Sequence, residues 1–192
     1  MQKPLKHDII TKTGGFMNEF KFCPNCGSQK IKTIEGIKWQ CDECGYKLYH
    51  NTAAAVALFL HCQGKLLTFT RTKEPGKGKY GIPGGFVNPA ESLEEACKRE
   101  CFEEVGIEPE NFQYLASFPN VYPYKGIIYN TCDAFYAASF AGTAEELLAK
   151  TKTIDGEAEN CRLIEIENVD IENFAFESHK KAFALFKASL KK

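Results

Sequence analysis

The sequence lacks a long hydrophobic run and carries almost no net charge. Its longest apolar stretch, Ala53–Leu60, is far shorter than the roughly 20 residues that a membrane-spanning helix needs. No apolar signal-peptide segment stands near the N-terminus. The 24 basic residues nearly balance the 25 acidic ones, which leaves a formal net charge of −1. We therefore expect no membrane partner, and overall charge does not direct the chain to nucleic acid.

Length and composition predict a globular chain. The 192 residues are 44% hydrophobic and 26% charged, which corresponds to one or two domains with a substantial core. Of the nine cysteines, five are scattered among mostly apolar neighbours. We interpret these five as buried, reduced thiols, which favours a cytoplasmic location. They are Cys62, Cys97, Cys101, Cys132 and Cys161.

Four further cysteines form two Cys-x2-Cys pairs, each followed by glycine. A hairpin signal, Glu35-Gly36 between two apolar segments, separates the pairs. Four thiolates at this spacing suit a closed, tetrahedral zinc site, and a segment this small needs a metal in order to fold. We predict a small structural zinc ribbon over residues 18–50; two disulfides are the alternative, which conflicts with reduced thiols elsewhere. The expected zinc ligands are Cys23, Cys26, Cys41 and Cys44.

Two features of the N-terminal region have more than one interpretation. Residues 1–17 are predicted to be a flexible leader, or residues 1–16 lie upstream of a second start at Met17. The ribbon has five lysines and four acidic residues, a small positive balance. Its Trp39 either stacks on a nucleobase or, as is more common, packs beneath the sheet. Contact between the ribbon and nucleic acid is therefore an alternative to a small-molecule partner.

A helix is predicted after the Gly-Gly pair at residues 84–85. Ser92 and Glu95 form a capping box at its N-terminus, while Gly106 and Pro109 mark its C-terminal end. At helical spacing, one apolar stripe is expected to face the core. It consists of Leu93, Ala96, Cys97, Cys101 and Val105.

Three glutamates interrupt this apolar stripe. Glu100 and Glu104 fall inside its arc, and Glu103 lies at its edge. Carboxylates gathered on a partly buried face repel one another and lose hydration, so they need a compensating cation. Oxygen ligands on a rigid helix suit Mg²⁺ or Mn²⁺. The alternative is a solvated acidic helix end that is paired with Lys98 and Arg99.

The segment from Gly85 to Ile107 resembles the Nudix box, G-x5-E-x7-R-E-U-x-E-E-x-G-U, where U is a bulky aliphatic residue. Every fixed position is present, and the one departure is Cys101 at the first U. The resemblance implies an α+β fold over residues 51–192, namely the Nudix α/β/α sandwich with a mixed sheet. It also implies that the carboxylates of Glu100, Glu103 and Glu104, with the carbonyl of Gly85, hold the catalytic Mg²⁺ or Mn²⁺. Glu91 is expected to pair with Arg99 and to support this site.

Together, the ribbon and the box resemble the NADH pyrophosphatase group of Nudix hydrolases. That group carries an S-Q-P-W-P-F-P-x-S motif, which residues 117–124 do not match. The resemblance implies metal-dependent hydrolysis of a nucleoside diphosphate linked to another moiety, of the NADH, ADP-ribose or ADP-sugar type, by attack of water on phosphorus. The alternatives are a non-hydrolytic nucleotide-binding regulatory module and an RNA decapping-type hydrolase that contacts RNA through its ribbon. Because Nudix relatives often dimerise, a homodimer is one expected assembly.

Further site residues are expected outside the box. Nudix hydrolases often place another glutamate before the last strand, where Glu157 is the better match and Glu159 the alternative. Arg71 precedes the box and is a candidate for binding substrate phosphates. The aromatic segment after the box has three candidates for stacking on a nucleobase, with core packing as the alternative role. They are Phe118, Tyr122 and Tyr124.

The remaining elements follow from hydrophobic pattern and turn residues. Strands are predicted over residues 53–60, 66–71, 112–118, 127–140 and 161–166, with a loop over 119–126. A short helix is predicted over 142–150. Ser178 is expected to cap a C-terminal helix with Ala182, Phe183 and Phe186 facing inward.

Overall fold

The computed structural model describes residues 9–10, 16–17, 20–152, 156 and 158–191. The chain divides into two compact units. The first comprises Met1–Thr52 and Val121–Asn130, and the second comprises Ala53–Asn120 and Thr131–Lys192. The domain limits of 1–17, 18–50 and 51–192 remain predictions.

The described part of residues 1–52 contains five short strands. β1 (Ile9–Ile10) and β2 (Phe16–Met17) pair with each other, and a three-stranded antiparallel sheet follows. The strands of this sheet are β3 (Ile31–Ile34), β4 (Lys38–Cys41) and β5 (Lys47–Tyr49). Glu35 and Gly36 both have positive φ, as the hairpin turn between β3 and β4 requires. Trp39 is only 7% exposed and packs between the rings of Phe20 and His50.

A curled mixed sheet with the strand order β10-β11-β6-β7-β12 forms the second unit, except that the hairpin end of β10 and β11, Val121–Asn130, belongs to the first unit. β6 pairs in parallel with β11 and antiparallel with β7, and the short strands β8 and β9 pair with β7 and β6. Two 3₁₀ turns, Ile166–Asn168 and Ile171–Asn173, precede the last helix. In chain order the elements are β6 (Ala53–Cys62), β7 (Lys65–Arg71), β8 (Tyr80–Gly81), β9 (Gly84–Phe86), α1 (Leu93–Val105), β10 (Gln113–Tyr124), β11 (Ile127–Ser139), α2 (Ala144–Lys150), β12 (Ala158–Glu165) and α3 (Glu177–Ser189).

Helices pack on both faces of this sheet. Alternate residues of β6 point to opposite sides, so that Leu58 joins a core cluster with α1 and α2, whereas Phe59 joins a second cluster with α3. The ring of Phe59 stacks on that of Phe186 with centroids 4.9 Å apart. The predicted α/β/α sandwich is therefore confirmed. No helix in the described part of the chain combines the length and the apolar character that would let it cross a membrane.

The structure corrects three expectations about single elements. Ser178 does not cap α3: the N-cap residue is Phe176, and the buried Ser178 hydroxyl donates to Asp133 instead. β10 continues to Tyr124 across two prolines, Pro119 and Pro123, which an edge strand tolerates because its outer groups need no ladder partner. The thiol-bearing residue Cys132 is exposed rather than buried.

Candidate metal and active site

The three glutamates that are expected to bind metal are carried by α1, whose ends agree with the prediction. The Ser92 side chain accepts from the Glu95 N–H, the Glu95 carboxylate accepts from the Ser92 N–H, and Gly106 ends the helix in the left-handed conformation. The apolar stripe of α1 packs into the core, where Cys97 and Cys101 are buried. Glu104 is buried with the stripe and is only 4% exposed. One carboxylate of the box thus lies at the edge of the core.

Two of these carboxylates lie against the backbone of β9. The Gly84 N–H donates to Glu104 Oε2 at 2.8 Å. Gly85 lies so close to Glu100 that an added Cβ would come within 2.5 Å of its Oε1. β9 is held in place by its pairing with β6, in which Gly85 stands opposite Val56. Gly85 therefore lets the backbone approach the Glu100 carboxylate more closely than a residue with a side chain would allow, whereas Gly84 leaves room for the backbone of Val56.

Arg99 connects the loop, β9 and the helix. Its Nε and Nη2 donate to the two oxygens of Glu91 at 2.7 and 2.9 Å, and Nη2 also donates to the carbonyl oxygen of Phe86 at 3.0 Å. Its Nη1 donates to Glu100 Oε1 at 2.7 Å and to Glu103 Oε2 at 2.9 Å. Two glutamates of the box therefore converge on one cationic nitrogen.

This network sets the charge states of its members. Hydrogen bonds from Arg99, and then from the Asn88 N–H, lower the pKa of Glu91 to about 2. Arg99 donates hydrogen bonds to Glu91, Glu100 and Glu103, and these interactions raise the pKa of its guanidinium above the usual range. The pair therefore stays ionised over the whole physiological pH range and holds the loop against α1.

The donor set of the box fits a divalent cation in chemistry. Glu104 is buried, and Glu100 and Glu103 are partly buried. The Glu100 carboxylate lies beside Gly85, where a side chain would not fit. Mg²⁺ and Mn²⁺ prefer carboxylate oxygens as ligands. Among the described residues, however, the carboxylate oxygens of Glu100, Glu103 and Glu104 do not form a group within 4.8 Å of one another. Arg99 neutralises two of them from one side, as expected for carboxylates that would otherwise repel each other.

The ribbon forms a second candidate metal centre. Its four Sγ atoms all lie within 4.8 Å of one another, and the pairs Cys23–Cys44 and Cys26–Cys41 are each 3.7 Å apart. Sulfur atoms at the corners of a tetrahedron with Zn–S bonds of roughly 2.3 Å would be about 3.8 Å apart. The Tyr46 N–H and the Asn25 amide lower the pKa of Cys44 to about 6, which favours its thiolate. The cluster is therefore compatible with a zinc ion.

Two candidates for substrate binding lie in the second unit. The Arg71 Nε donates to the carbonyl oxygen of Pro75 at 3.0 Å, and the guanidinium stacks 5.2 Å from the centre of the Phe176 ring. Phe118 is half-buried and packs against Phe135, with ring centroids 6.2 Å apart. Both side chains therefore have structural contacts of their own, and their roles in substrate binding remain predictions.

The remaining candidates are distributed differently. Tyr122 and Tyr124 belong to the first unit, so the structure does not bring the four expected substrate-binding residues together in one unit. Tyr124 is 47% exposed, and Lys125 lies over its ring. Glu157 lies outside the described residues. Glu159 is exposed on β12, directly after Ala158, which is buried in the same core cluster as the α1 stripe.

Sequence reasoning missed a buried polar cluster on the α3 face of the sheet. The Asp133 carboxylate accepts from the Thr131 hydroxyl at 2.6 Å and from the Ser178 hydroxyl at 2.7 Å. All three residues are buried. The only sequence signal was a single acidic residue inside an apolar strand, and the position of its partner depends on long-range packing.

Comparisons with known proteins match most of the chain to one family. A family model described as "NUDIX domain" matches residues 50–186. The NAD-capped RNA hydrolase NudC of Haemophilus influenzae (strain PittGG) is 33% identical over 110 residues, which are 56% of this chain and 42% of that protein. The chain thus spans less than half the length of the curated relatives that it matches first.

Solved structures show the same fold. A NUDIX hydrolase from Nitrosomonas europaea superposes with a TM-score of 0.61 and 22% identity, covering 85% of this chain and 88% of that one. The NUDIX domain of Shewanella oneidensis NrtR, complexed with ADP ribose, superposes with a TM-score of 0.60 and 19% identity, covering 74% of this chain and 90% of that one. At these identities the likeness concerns the fold alone.

Proposed function

Because the chain belongs to the NUDIX domain family, we propose that it is a divalent-metal-dependent pyrophosphohydrolase. Its substrate is a nucleoside diphosphate linked to another moiety, and water attacks one of the two phosphorus atoms. The observation that carries the proposal is the seating of α1 against β9, where Glu104 accepts from the Gly84 N–H and Glu100 lies against Gly85. This arrangement holds two carboxylates against the backbone of β9, at a position where Gly85 has no room for a side chain.

The substrate class follows from chemistry that is shared by two similar proteins. One is named for the hydrolysis of NAD-capped RNA, and the other was solved with ADP ribose. NAD and ADP ribose both contain an adenosine diphosphate joined through its terminal phosphate to a second group. We therefore expect this chain to cleave the diphosphate of an NAD-type or ADP-ribose-type molecule. The missing S-Q-P-W-P-F-P-x-S motif makes NADH itself only one of several candidates.

Glu100, Glu103 and Glu104, with the carbonyl of Gly85, are the residues that would hold Mg²⁺ or Mn²⁺. When bound, such an ion supplies neutralisation of the diphosphate charge and lowers the pKa of a coordinated water. Arg99 and Glu91 are positioning residues: Arg99 touches the Glu100 carboxylate and the β9 backbone, and Glu91 holds Arg99. Glu157 is the proposed general base, and Glu159 is the alternative.

The ribbon is proposed to hold one structural Zn²⁺ through its four cysteines, and no catalytic step is assigned to it. A closed site with four cysteine ligands leaves no position for substrate or water. Free thiols at the other cysteines support a reducing compartment, for which we propose the cytoplasm.

The test is a hydrolysis screen with Mg²⁺ and Mn²⁺, in which products are identified by mass. The panel contains NAD, NADH, ADP-ribose, an ADP-sugar and NAD-capped RNA, and we expect an adenosine- or nicotinamide-containing monophosphate from at least one of them. Glu103→Gln and Glu104→Gln should each remove activity, whereas Glu108→Gln, an exposed glutamate beyond the box, is the matched control. Near-normal hydrolysis by both box variants contradicts the assignment of the metal site. Binding of ADP-ribose without hydrolysis by the wild type would instead support the non-hydrolytic module.

A further inference from the structure

A cavity of about 800 Å³ opens beside the C-terminal end of α1, and all of its lining lies in the second unit. On α1 it is lined by Phe102 and Gly106. Phe102 lies roughly 160° around the helix from Glu104, so the cavity is on the other side of α1 from the candidate metal site. We call it the α1–α2 cavity, because the end of α2 forms another wall. Its lining includes Leu60, Phe102, Ile107, Phe140, Lys150 and Lys152.

The α1–α2 cavity combines an apolar floor with aromatic rings. Leu60 and Ile107 are buried beneath it. Phe102 is 46% exposed, and Phe140, directly after β11, is partly buried. Pockets for small molecules measure roughly 300–1,000 Å³ and are lined mainly by apolar and aromatic groups. The open ring of Phe102 therefore offers a surface on which a planar ligand can stack.

Two lysines add positive charge at the end of α2. The Lys150 Nζ stands 5.4 Å from the centre of the Phe140 ring. Lys152 is tied to α1, because its backbone N–H donates to the carbonyl oxygen of Val105 at 2.9 Å. That bond also engages a carbonyl group at the C-terminal end of α1, which would otherwise repel an anion. Within the described residues neither lysine forms an ion pair with an acidic side chain, so both are available to an anionic ligand.

The loop after α1 makes another part of the rim acidic. Glu108 and Glu110 are exposed there, on either side of the buried Pro109. Among the described residues they form no ion pair with the two lysines that line the same cavity, so positive and negative charges stand apart around it. A ligand with a single anionic group fits beside the lysines, whereas a second anionic group would be repelled by the glutamates.

We propose that the α1–α2 cavity binds a nucleoside monophosphate, with its phosphate at Lys150 and Lys152 and its base stacked on Phe102. Lysine ammonium groups bind phosphate through charge-assisted hydrogen bonds, and aromatic side chains stack on any nucleobase. The choice of a nucleoside over another aromatic phosphate rests on the proposed function, because cleavage of a nucleoside diphosphate releases a nucleoside monophosphate. The cavity thus holds a product of the reaction away from the metal site.

The first experiment measures and locates the binding of AMP, which contains no diphosphate to cleave. Isothermal titration calorimetry gives the Kd, and the amide signals of the NMR spectrum give the location. The largest shift changes are expected in residues 106–111 and 149–152. Lys150→Gln/Lys152→Gln should weaken binding by about tenfold or more, since hydrogen bonds to a charged group are lost. Phe102→Ala should weaken it by about 5- to 150-fold, which corresponds to one stacked base.

The matched control is Lys98→Gln/Lys181→Gln, which removes the same charge from exposed positions of the second unit. Lys98 also stands over a phenylalanine ring, 5.9 Å from the centre of Phe112, as Lys150 stands over Phe140. This control should bind AMP like the wild type. Far-ultraviolet circular dichroism verifies that each variant is folded. Equal AMP affinity in the wild type and the folded cavity variants overturns the proposal.

Three further ligands test the chemistry of the site. Adenosine lacks the phosphate, inorganic phosphate lacks the ring, and ATP carries additional anionic groups. Each should bind the cavity more weakly than AMP. If any of the three binds there as tightly as AMP, the assignment to a nucleoside monophosphate is wrong. Shift changes that are largest in β9 and around the glutamates of the box would place AMP at the metal site and overturn the proposal as well.

The same measurements separate this inference from the proposed function. Glu103→Gln should lose hydrolysis and still bind AMP in the α1–α2 cavity. If the wild type hydrolyses no member of the substrate panel but binds AMP in the cavity, the proposed function fails and the nucleotide site stands. If the wild type hydrolyses a substrate and AMP leaves the amide signals of the cavity unchanged, the nucleotide site fails and the proposed function stands.

Discussion

At the scale of single residues, Arg99 organises the candidate site by donating to four neighbouring residues. Three of them are carboxylates, namely Glu91, Glu100 and Glu103, and the fourth acceptor is the carbonyl oxygen of Phe86. The Glu91 pair is bidentate, so it fixes the plane of the guanidinium as well as its position. An arginine held in this way leaves only its Nη1 edge directed at the glutamates of the box. Its orientation therefore controls where those carboxylates point.

Replacing Glu91 by glutamine should weaken metal binding without removing a ligand. The bidentate pair would lose its charge, the Arg99 guanidinium would turn, and Glu100 and Glu103 would lose their alignment. Loss of such a supporting contact typically reduces metal affinity by about 10- to 100-fold. Titration with Mn²⁺, followed by electron paramagnetic resonance, measures this directly. Glu110→Gln, an exposed glutamate after α1, is the control, and unchanged affinity in Glu91→Gln would show that the pair is dispensable.

The same variant gives a signed prediction for pH dependence. The pKa of Glu91 is lowered from an ordinary value of 4.5 to about 2, chiefly by the Arg99 hydrogen bonds. A group whose pKa is lower in the folded state stabilises that state at pH values above its unfolded-state pKa. This stabilisation is lost as the pH falls through its folded-state pKa. The difference in free energy of unfolding between wild type and Glu91→Gln should therefore be constant near neutral pH and shrink between about pH 4.5 and 2. Urea titrations across that range test it, and a difference that grows on acidification would contradict it.

Two adjacent glycines should respond differently to alanine. A Cβ at Gly84 would meet the backbone oxygen of Val56 at 2.2 Å, whereas a Cβ at Gly85 would meet the Glu100 carboxylate at 2.5 Å. Backbone cannot yield easily, so Gly84→Ala should lower the free energy of unfolding by about 1–3 kcal/mol. The end of a side chain can move, so Gly85→Ala should keep most of its stability and lose Mn²⁺ affinity. Urea titration and Mn²⁺ titration on both variants separate the two effects, and equal stability losses would refute the distinction.

Local patterns predicted the helix that carries the box and its two ends, and long-range contacts explain what they missed. Spacing along one helix sufficed to find Glu100 and Glu104 beside the apolar stripe. The bond from Gly84 N–H to Glu104 could not be predicted, because it depends on the pairing of β9 with β6. Arg71 was expected near substrate phosphates on charge alone, but its guanidinium packs on Phe176, a residue far away in sequence.

At the scale of elements, α1 and α3 begin in different ways. α1 has a complete capping box, whereas the N-cap of α3, Phe176, offers no side-chain bond. The hydroxyl of Ser178 turns inward and donates to the buried Asp133 carboxylate of β11. This contact ties α3 to the sheet, and the partly positive N-terminal end of the helix favours a carboxylate there. Sequence signals for helix caps are local, so they could not predict that the Ser178 hydroxyl would donate to Asp133 on β11.

Removing the two serine hydroxyls should therefore have unequal effects. Ser178→Ala leaves a buried carboxylate with one donor fewer, which costs about 1–3 kcal/mol, whereas Ser92→Ala removes an exposed cap that is worth about 1 kcal/mol. Urea denaturation of both variants measures the difference. Adding Asp133→Asn to Ser178→Ala should recover part of the loss, because the uncompensated charge is gone. No recovery in the double variant would show that Ser178 contributes only through packing.

At the scale of the whole molecule, the two units depend on different sources of stability. The second unit has two core clusters on either side of its sheet. In the described ribbon residues 20–50, the buried apolar side chains are Cys23, Trp39 and Cys41, two of which are proposed zinc ligands. So small a core supplies little burial energy, and a structural zinc would contribute most of the folding free energy there. Cysteine spacing and hydrophobic pattern, which are both local signals, are the sequence features from which such a division is predicted.

Zinc removal should therefore unfold the ribbon before the second unit. The chain has one tryptophan, Trp39, which is buried in the ribbon, while α1, α2 and α3 all belong to the second unit. A zinc chelator should shift Trp39 fluorescence to longer wavelength and release one zinc per chain, while the helical signal in far-ultraviolet circular dichroism persists. Cys41→Ser should show the same separation without chelator, and Cys62→Ser, a buried thiol of the second unit, should leave the zinc content unchanged. Simultaneous loss of both signals would mean that the two units unfold as one.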